Sequence, residues 1–194
     1  MEKVFWEGGT LVAPVPPTMV SCGTMEESNI LTIAWTGIIN SNPPMTYISV
    51  RPERYSFDII KKAGEFVINL PCENVVTACD WCGVKSGRDV DKFKEMGLTK
   101  VKGEKVDAPI IAQCPLNIEC KVKDIVELGS HHMFIAEIVG VDVDKSLIDA
   151  EGKLHLDKGN LLAYAHGTYY TLGKSLGTFG FSVRKKPVKT KGKK

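Results

Sequence analysis

Leu116-Asn-Ile-Glu-Cys-Lys-Val-Lys123 alternates apolar and polar residues without a break, and its reading decides the fold class. Leu116, Ile118, Cys120 and Val122 fall on one side of an extended chain. Asn117, Glu119, Lys121 and Lys123 fall on the other, the pattern of a strand with one face toward a core. Downstream, the turn at Gly129-Ser130 leads into His131–Val143, which is apolar on both faces and predicts a central strand covered on each side. Upstream, Glu65–Leu70 reads as a strand stopped by Pro71. The β-branched and aromatic run Asn29–Ile39 predicts another, turning at Asn40–Pro44 into a strand over Met45–Arg51. Leu161–Tyr164 and Thr168–Thr171 are shorter strand candidates.

Three short helices interrupt the strands. Phe57–Ala63 precedes Gly64, a residue suited to the left-handed C-terminal position. Glu73–Trp81 and Val90–Met96 follow, the last stopped by Gly97. Strands and helices do not alternate regularly. The expected fold is therefore mainly β, an antiparallel barrel with peripheral helices, rather than a doubly wound nucleotide-binding sheet. A chain of 194 residues suits one domain, here residues 1–183, followed by a basic tail over 184–194.

Composition narrows the functional classes. No run approaches the ~18 apolar residues of a membrane-spanning helix. The apolar N-terminal stretch is broken by Gly8, Gly9, Pro14, Pro16 and Pro17, unlike a signal peptide. Removing the tail's seven Lys and Arg from the net charge of +2 leaves about −5 for residues 1–183, a poor nucleic-acid platform. The tail itself reads as a solvated terminus. Six cysteines stand at 22, 72, 79, 82, 114 and 120. Cys79-Asp-Trp-Cys82 has the spacing of a redox pair or half a metal site, but Cys114 and Cys120 are too far apart to supply the second closely spaced pair of a structural zinc. No metal is expected, and reduced thiols in a cytoplasmic protein are.

Nucleophile elbows, Walker loops, H-E-x-x-H and G-x-G-x-x-G motifs are absent from the sequence, so no catalytic acid, base or nucleophile stands out. What remains suits an anionic, planar ligand. Ser86–Lys92 joins a small-residue turn to a helix start, where amides together with Arg88 and Lys92 favour phosphate. Arg51 and Ser56 form a second such place. Ser and Asp are equally common helix caps, so each place also has a purely structural reading. Asn29, Thr32, Trp35 and Thr36 put amide, hydroxyl and indole groups along one strand, although a strand tryptophan more often fills a core. Of the neighbours His131 and His132, only one can face a given site.

Taken in order, Asn29–Gly37, Pro43-Pro44 with Tyr47–Arg51, Phe66–Pro71, Cys82–Phe93 and His131–Val139 resemble the flavin reductase-like proteins, which bind FMN on a split β-barrel, and within them the flavoredoxin branch. The resemblance spans about residues 10–172. It implies a homodimer with one FMN per subunit near the interface. By position, Asn29, Thr32, Trp35 and Thr36 would line the flavin. Arg51, Ser56, Ser86 and Lys92 would serve the phosphate and ribityl chain, and His131 and Tyr164 would sit beside the ring or the nicotinamide approach. Tyr164 stands where the family pattern has Phe, and Ser56 where Thr is also common; both keep the relevant chemistry. Two activities are implied: reduction of free flavin or a small acceptor by NADH or NADPH, or electron carriage from a protein partner without nicotinamide.

Overall fold

The alternation is realised in the computed structural model, which describes residues 1–184. Its strands are β1 (Thr18–Gly23), β2 (Ser28–Ile33), β3 (Thr36–Ser41), β4 (Pro44–Val50), β5 (Glu65–Leu70), β6 (Lys100–Val101), β7 (Ile110–Ile111), β8 (Leu116–Glu127), β9 (His132–Val143), β10 (Leu162–Ala165) and β11 (Thr168–Thr171). The α-helices are α1 (Tyr55–Ala63), α2 (Val76–Val84) and α3 (Lys92–Glu95). Seven strands form one sheet in the order β2-β1-β5-β8-β9-β4-β3, antiparallel at every pairing. The expected mainly β, antiparallel barrel with peripheral helices is the fold.

The two edge strands of this sheet are consecutive in sequence. Only Ala34 and Trp35 separate β2 from β3, yet these strands pair with β1 and β4 and not with each other. The expected continuous strand Asn29–Ile39 is therefore interrupted, and the chain crosses at this dipeptide from one edge of the curled sheet to the other. The Trp35 carbonyl accepts from the Ser49 amide at 2.9 Å, which holds the crossing against β4. The barrel stays open along this seam.

Period-two alternation explains the two main cores. Val20 and Cys22 of β1, with Leu31 and Ile33 of β2, point into the barrel, where they meet Ile48, Phe57, Ile60, Phe66, Ile68 and Phe134. Met19 and Ile30, one residue out of phase, point outward and are covered by α2 and α3 through Ala78, Cys79, Cys82 and Phe93. β1 has no counterpart among the expected strands, because the glycines and prolines before it dominate that region. The last of them, Pro17, immediately precedes its first residue.

β8 departs from expectation on its polar side. Asn117 and Glu119 are buried, because the segment carrying β6 and β7 folds over them. Glu119 accepts from the amides of Glu104, Lys105 and Val106 at 3.2, 2.8 and 2.9 Å. Asn117 Nδ2 donates to Asn69 Oδ1 at 2.7 Å. β9 pairs on both sides as expected, but only Phe134 and Ala136 are fully buried, and Val141 is exposed. Its faces are less covered than the sequence predicts.

α1 starts two residues before the expected Phe57 and ends, as expected, at Gly64 with φ 69°. The second expected helix is a 3-10 turn at Glu73–Val75 running into α2. α3 is a single turn. Among the described residues no helix is long and apolar enough to cross a membrane. All six cysteines are free. All but the first residue of the basic tail lies outside the described residues.

Candidate functional site

The seam at Ala34-Trp35 opens a cavity of about 310 Å³. Thr32 and Ile33 of β2 form one wall, Ser49 and Val50 of β4 face them, and Arg51 and Arg54 close one end. Asp80, Gly83 and Val84 of α2 close the other side, with Tyr164 and Tyr169 of the β10–β11 hairpin. Gly83 allows this approach: a Cβ there would stand 3.1 Å from Thr32 Cβ.

Trp35 and His131 stack across the opening, their planes within 4° and their ring centres 6.1 Å apart. His131 is held below the usual histidine range, first by desolvation and next by the positive charge of Arg51, with Glu53 opposing. Ser130 Oγ lies 2.9 Å from its Nδ1. Tyr164 packs edge-on against Tyr169 at 5.1 Å, and burial pushes the Tyr169 phenol up, with Cys79 and Asp80 adding to it.

The cationic end is built around the start of α1. Arg54 occupies the N-cap without any side-chain hydrogen bond to the helix, so no side-chain oxygen caps the first turn, where the Arg54 carbonyl accepts from the Phe57 amide at 2.9 Å. Arg51 meets Glu53 at 3.3 Å, and Arg88 Nη1 donates to the Glu53 carbonyl at 3.2 Å. Arg51, Arg54 and Arg88 thus lie close to a helix start that no side chain caps. Helix amides plus guanidinium charge are the elements of an anion site.

Of the sequence-derived candidates, Thr32, Trp35, Arg51, His131 and Tyr164 line this cavity. Thr32 Oγ1 donates to the Cys79 carbonyl, so its hydroxyl hydrogen is already committed. Thr36 lies across the seam, its Oγ1 donating to the Tyr47 carbonyl at 2.6 Å. It lines a second cavity of about 590 Å³ that shares Ala34, Trp35 and Tyr164 with the first.

The other four stand elsewhere. Asn29 and Ser56 are buried against each other, Nδ2 donating to Oγ at 2.8 Å. Ser86 Oγ accepts from the Arg88 amide at 3.2 Å. Lys92 requires correction as a phosphate contact. It is 3% exposed, and Nζ donates to the carbonyls of Ile30 and Cys82 at 2.7 and 2.6 Å. Burial lowers its pKa. The helix start expected beside it is also closed, because Asp91 Oδ1 accepts from the Phe93 and Lys94 amides. The helix start without a side-chain cap is that of α1, not α3.

Arg54, Asp80 and Tyr169 were not singled out from the sequence. Arg51-Pro-Glu-Arg54 immediately before a helix was a usable signal for Arg54; nothing local marks the other two. Cys79 and Cys82 face the outer core, and desolvation pushes their thiols up to about 12 and about 11. They are protonated at neutral pH and poorly nucleophilic. Among the described residues no group of three or more His, Cys, Asp or Glu side chains is placed to hold a metal.

Comparison with known proteins gives a consistent pattern. The flavin reductase like domain model matches residues 12–173. A flavoredoxin of Desulfovibrio vulgaris (Miyazaki F) superimposes with a TM-score of 0.87 at 33% identity, covering 94% of this chain and 100% of that one. A flavoredoxin from Methanosarcina acetivorans gives 0.85 at 28% identity, covering 95% and 100%. An uncharacterized Pyrococcus abyssi protein is 32% identical over 158 residues, 81% of this chain and 90% of its own length.

Proposed function

The chain belongs to the flavin reductase-like domain family, and from that premise we propose that it is an FMN-binding flavoprotein that transfers electrons, working as an NAD(P)H-dependent reductase of free flavin or a small acceptor. The observation that carries the cofactor assignment is the start of α1, which no side chain caps, with Arg51 and Arg54 beside it on a cavity walled by Trp35 and His131. A phosphate brings nearly two negative charges and loses hydration on entry, so it needs cationic or amide partners at one end. A flat ring needs apolar and aromatic walls at the other. The seam supplies both along one line, and cavities of about 310 and 590 Å³ joined at Trp35 lie within the ~300–1,000 Å³ usual for ligand sites.

In this reading Arg51 and Arg54 hold the phosphate. Trp35, His131 and Tyr164 position the ring, and Asp80 keeps anions away from the far end of the first cavity. When bound, FMN supplies the one- and two-electron chemistry, which is why no protein nucleophile is needed. The free cysteines fit a reducing, cytoplasmic compartment.

A second reading has a specific observation behind it. The two solved relatives above are flavoredoxins, and each is covered in full. In that reading the protein carries electrons from a protein partner and does not bind nicotinamide. Anaerobic titration of the FMN-loaded protein with NADH, NADPH and reduced ferredoxin, followed at the flavin absorbance, separates the two. Bleaching by a nicotinamide supports the reductase; bleaching by ferredoxin alone supports the carrier.

The protein also acts as a homodimer in this proposal. Ile38 and Ile39 of β3, the strand at one edge of the seam, leave much apolar side chain in water. Sedimentation equilibrium should return twice the chain mass of 21.3 kDa; a single-chain mass at micromolar concentration contradicts it.

A further inference from the structure

The second cavity differs from the first in one chemical respect. Among the described residues that line it there is no Lys, Arg, Asp or Glu, whereas the first holds Arg51, Arg54 and Asp80. Its walls are three aromatic rings, Trp35, Tyr47 and Tyr164, closed by Leu11, Val12 and Val15. Val15 is fixed there by reciprocal backbone hydrogen bonds with Tyr164, at 2.9 and 2.8 Å. Thr36, the nearest hydroxyl on the β3 side, has its hydrogen committed to Tyr47. The one imidazole on the lining is His166, held at φ 48° in the two-residue turn between β10 and β11 and exposed.

We propose that this cavity is the binding site for a neutral aromatic molecule, lying beside the cofactor site and separated from it by Trp35 and Tyr164. The inference rests on the assignment of the first cavity to FMN and names the class of molecule that meets it. A charged ligand entering such walls would lose its hydration and meet no Lys, Arg, Asp or Glu in return, only hydroxyls and His166 at the exposed edge. A flat neutral ring loses little and gains stacking on the aromatic faces. Trp35, half exposed and common to both cavities, is the shared wall through which the two occupants are neighbours. The lining offers a nucleotide's phosphates no Lys or Arg, so the class is a small, uncharged aromatic.

The test is equilibrium dialysis of the full chain, saturated with FMN and kept oxidised, against 4-nitrotoluene and against 4-nitrobenzoate. The two probes share a ring and differ in charge. Saturable binding of 4-nitrotoluene, at least tenfold tighter than 4-nitrobenzoate, is expected. Val15→Asp should weaken 4-nitrotoluene at least fivefold while the flavin content stays at its wild-type value. Val12→Asp, at a site that is 87% exposed and therefore tolerant, serves the same purpose if Val15→Asp does not fold. Equal binding of the two probes, no saturable binding of 4-nitrotoluene, or indifference to both substitutions overturns the proposal. A second copy of the chain filling the cavity would appear as the absence of saturable binding. Failure of FMN itself to bind is read separately, from absorbance, and counts against the cofactor assignment; the dialysis still reports on this cavity, which the chain's own residues form.

Discussion

His131 sits where four influences on one imidazole separate cleanly. Desolvation and the nearby charge of Arg51, and then of Arg54, disfavour its protonated form, and only Glu53 favours it. Its folded pKa is therefore depressed below the ordinary value near 6.5. By linkage, its contribution to stability is complete above that value and is lost as the pH falls through the lower, folded one. A phosphate resting on Arg51 and Arg54 would offset their repulsion of the imidazolium. Titrated by NMR, the His131 ring should shift at a pH below that of a free histidine, and its midpoint should rise when FMN is added. A midpoint that FMN leaves unmoved would place the phosphate elsewhere. Much at this scale was legible beforehand: Trp35, Arg51, His131 and Tyr164 carry side chains whose chemistry announces a planar anion. Asp80 and Tyr169 were not, since one is hidden between two cysteines of greater chemical interest. The other lies in a four-residue strand that only the hairpin brings to the cavity.

Among the elements, α3 and α1 show why a basic residue near a helix start is ambiguous. Ser86–Lys92 has the composition of a phosphate loop, but Gly87 lies so close to Asn29 that a Cβ would meet its Oδ1 at 2.2 Å. That approach packs the turn onto β2 and draws Lys92 inward, where its ammonium joins the carbonyls of β2 and α2. The lysine is a clamp between elements. Lys92→Met should leave two buried carbonyls without donors and destabilise the fold by about 2–4 kcal/mol, measured by urea unfolding. The ratio of FMN to riboflavin affinity should not change. A selective loss of FMN would restore Lys92 to the phosphate. β8 teaches a related lesson. Its alternation placed Leu116, Cys120 and the core face correctly, yet Glu119 is buried, because period-two patterning cannot register a distant segment offering three backbone amides to a carboxylate.

At the scale of the molecule, the architecture follows from a sheet whose first and last strands in space are neighbours in sequence. Antiparallel pairing and the mainly β class were readable from alternation alone, and the order of the segments gave the family resemblance. The seam was not readable, because Asn29–Ile39 has unbroken strand composition. Its interruption at Ala34-Trp35 comes from the crossing between the two edges of the curled, open sheet, not from local propensity. That interruption creates the site: it parts the edges, turns Trp35 outward and lets Arg51, at the end of β4, meet Arg54 at the start of α1. The claim that this end of the seam grips a phosphate is tested most directly by titrating FMN and riboflavin into the wild-type protein and into Arg54→Ala. A charge-assisted contact of about 1.5–3 kcal/mol predicts that FMN weakens by roughly ten- to a hundredfold while riboflavin is unaffected. Equal weakening of both ligands, or a wild-type protein that ignores FMN, would contradict it.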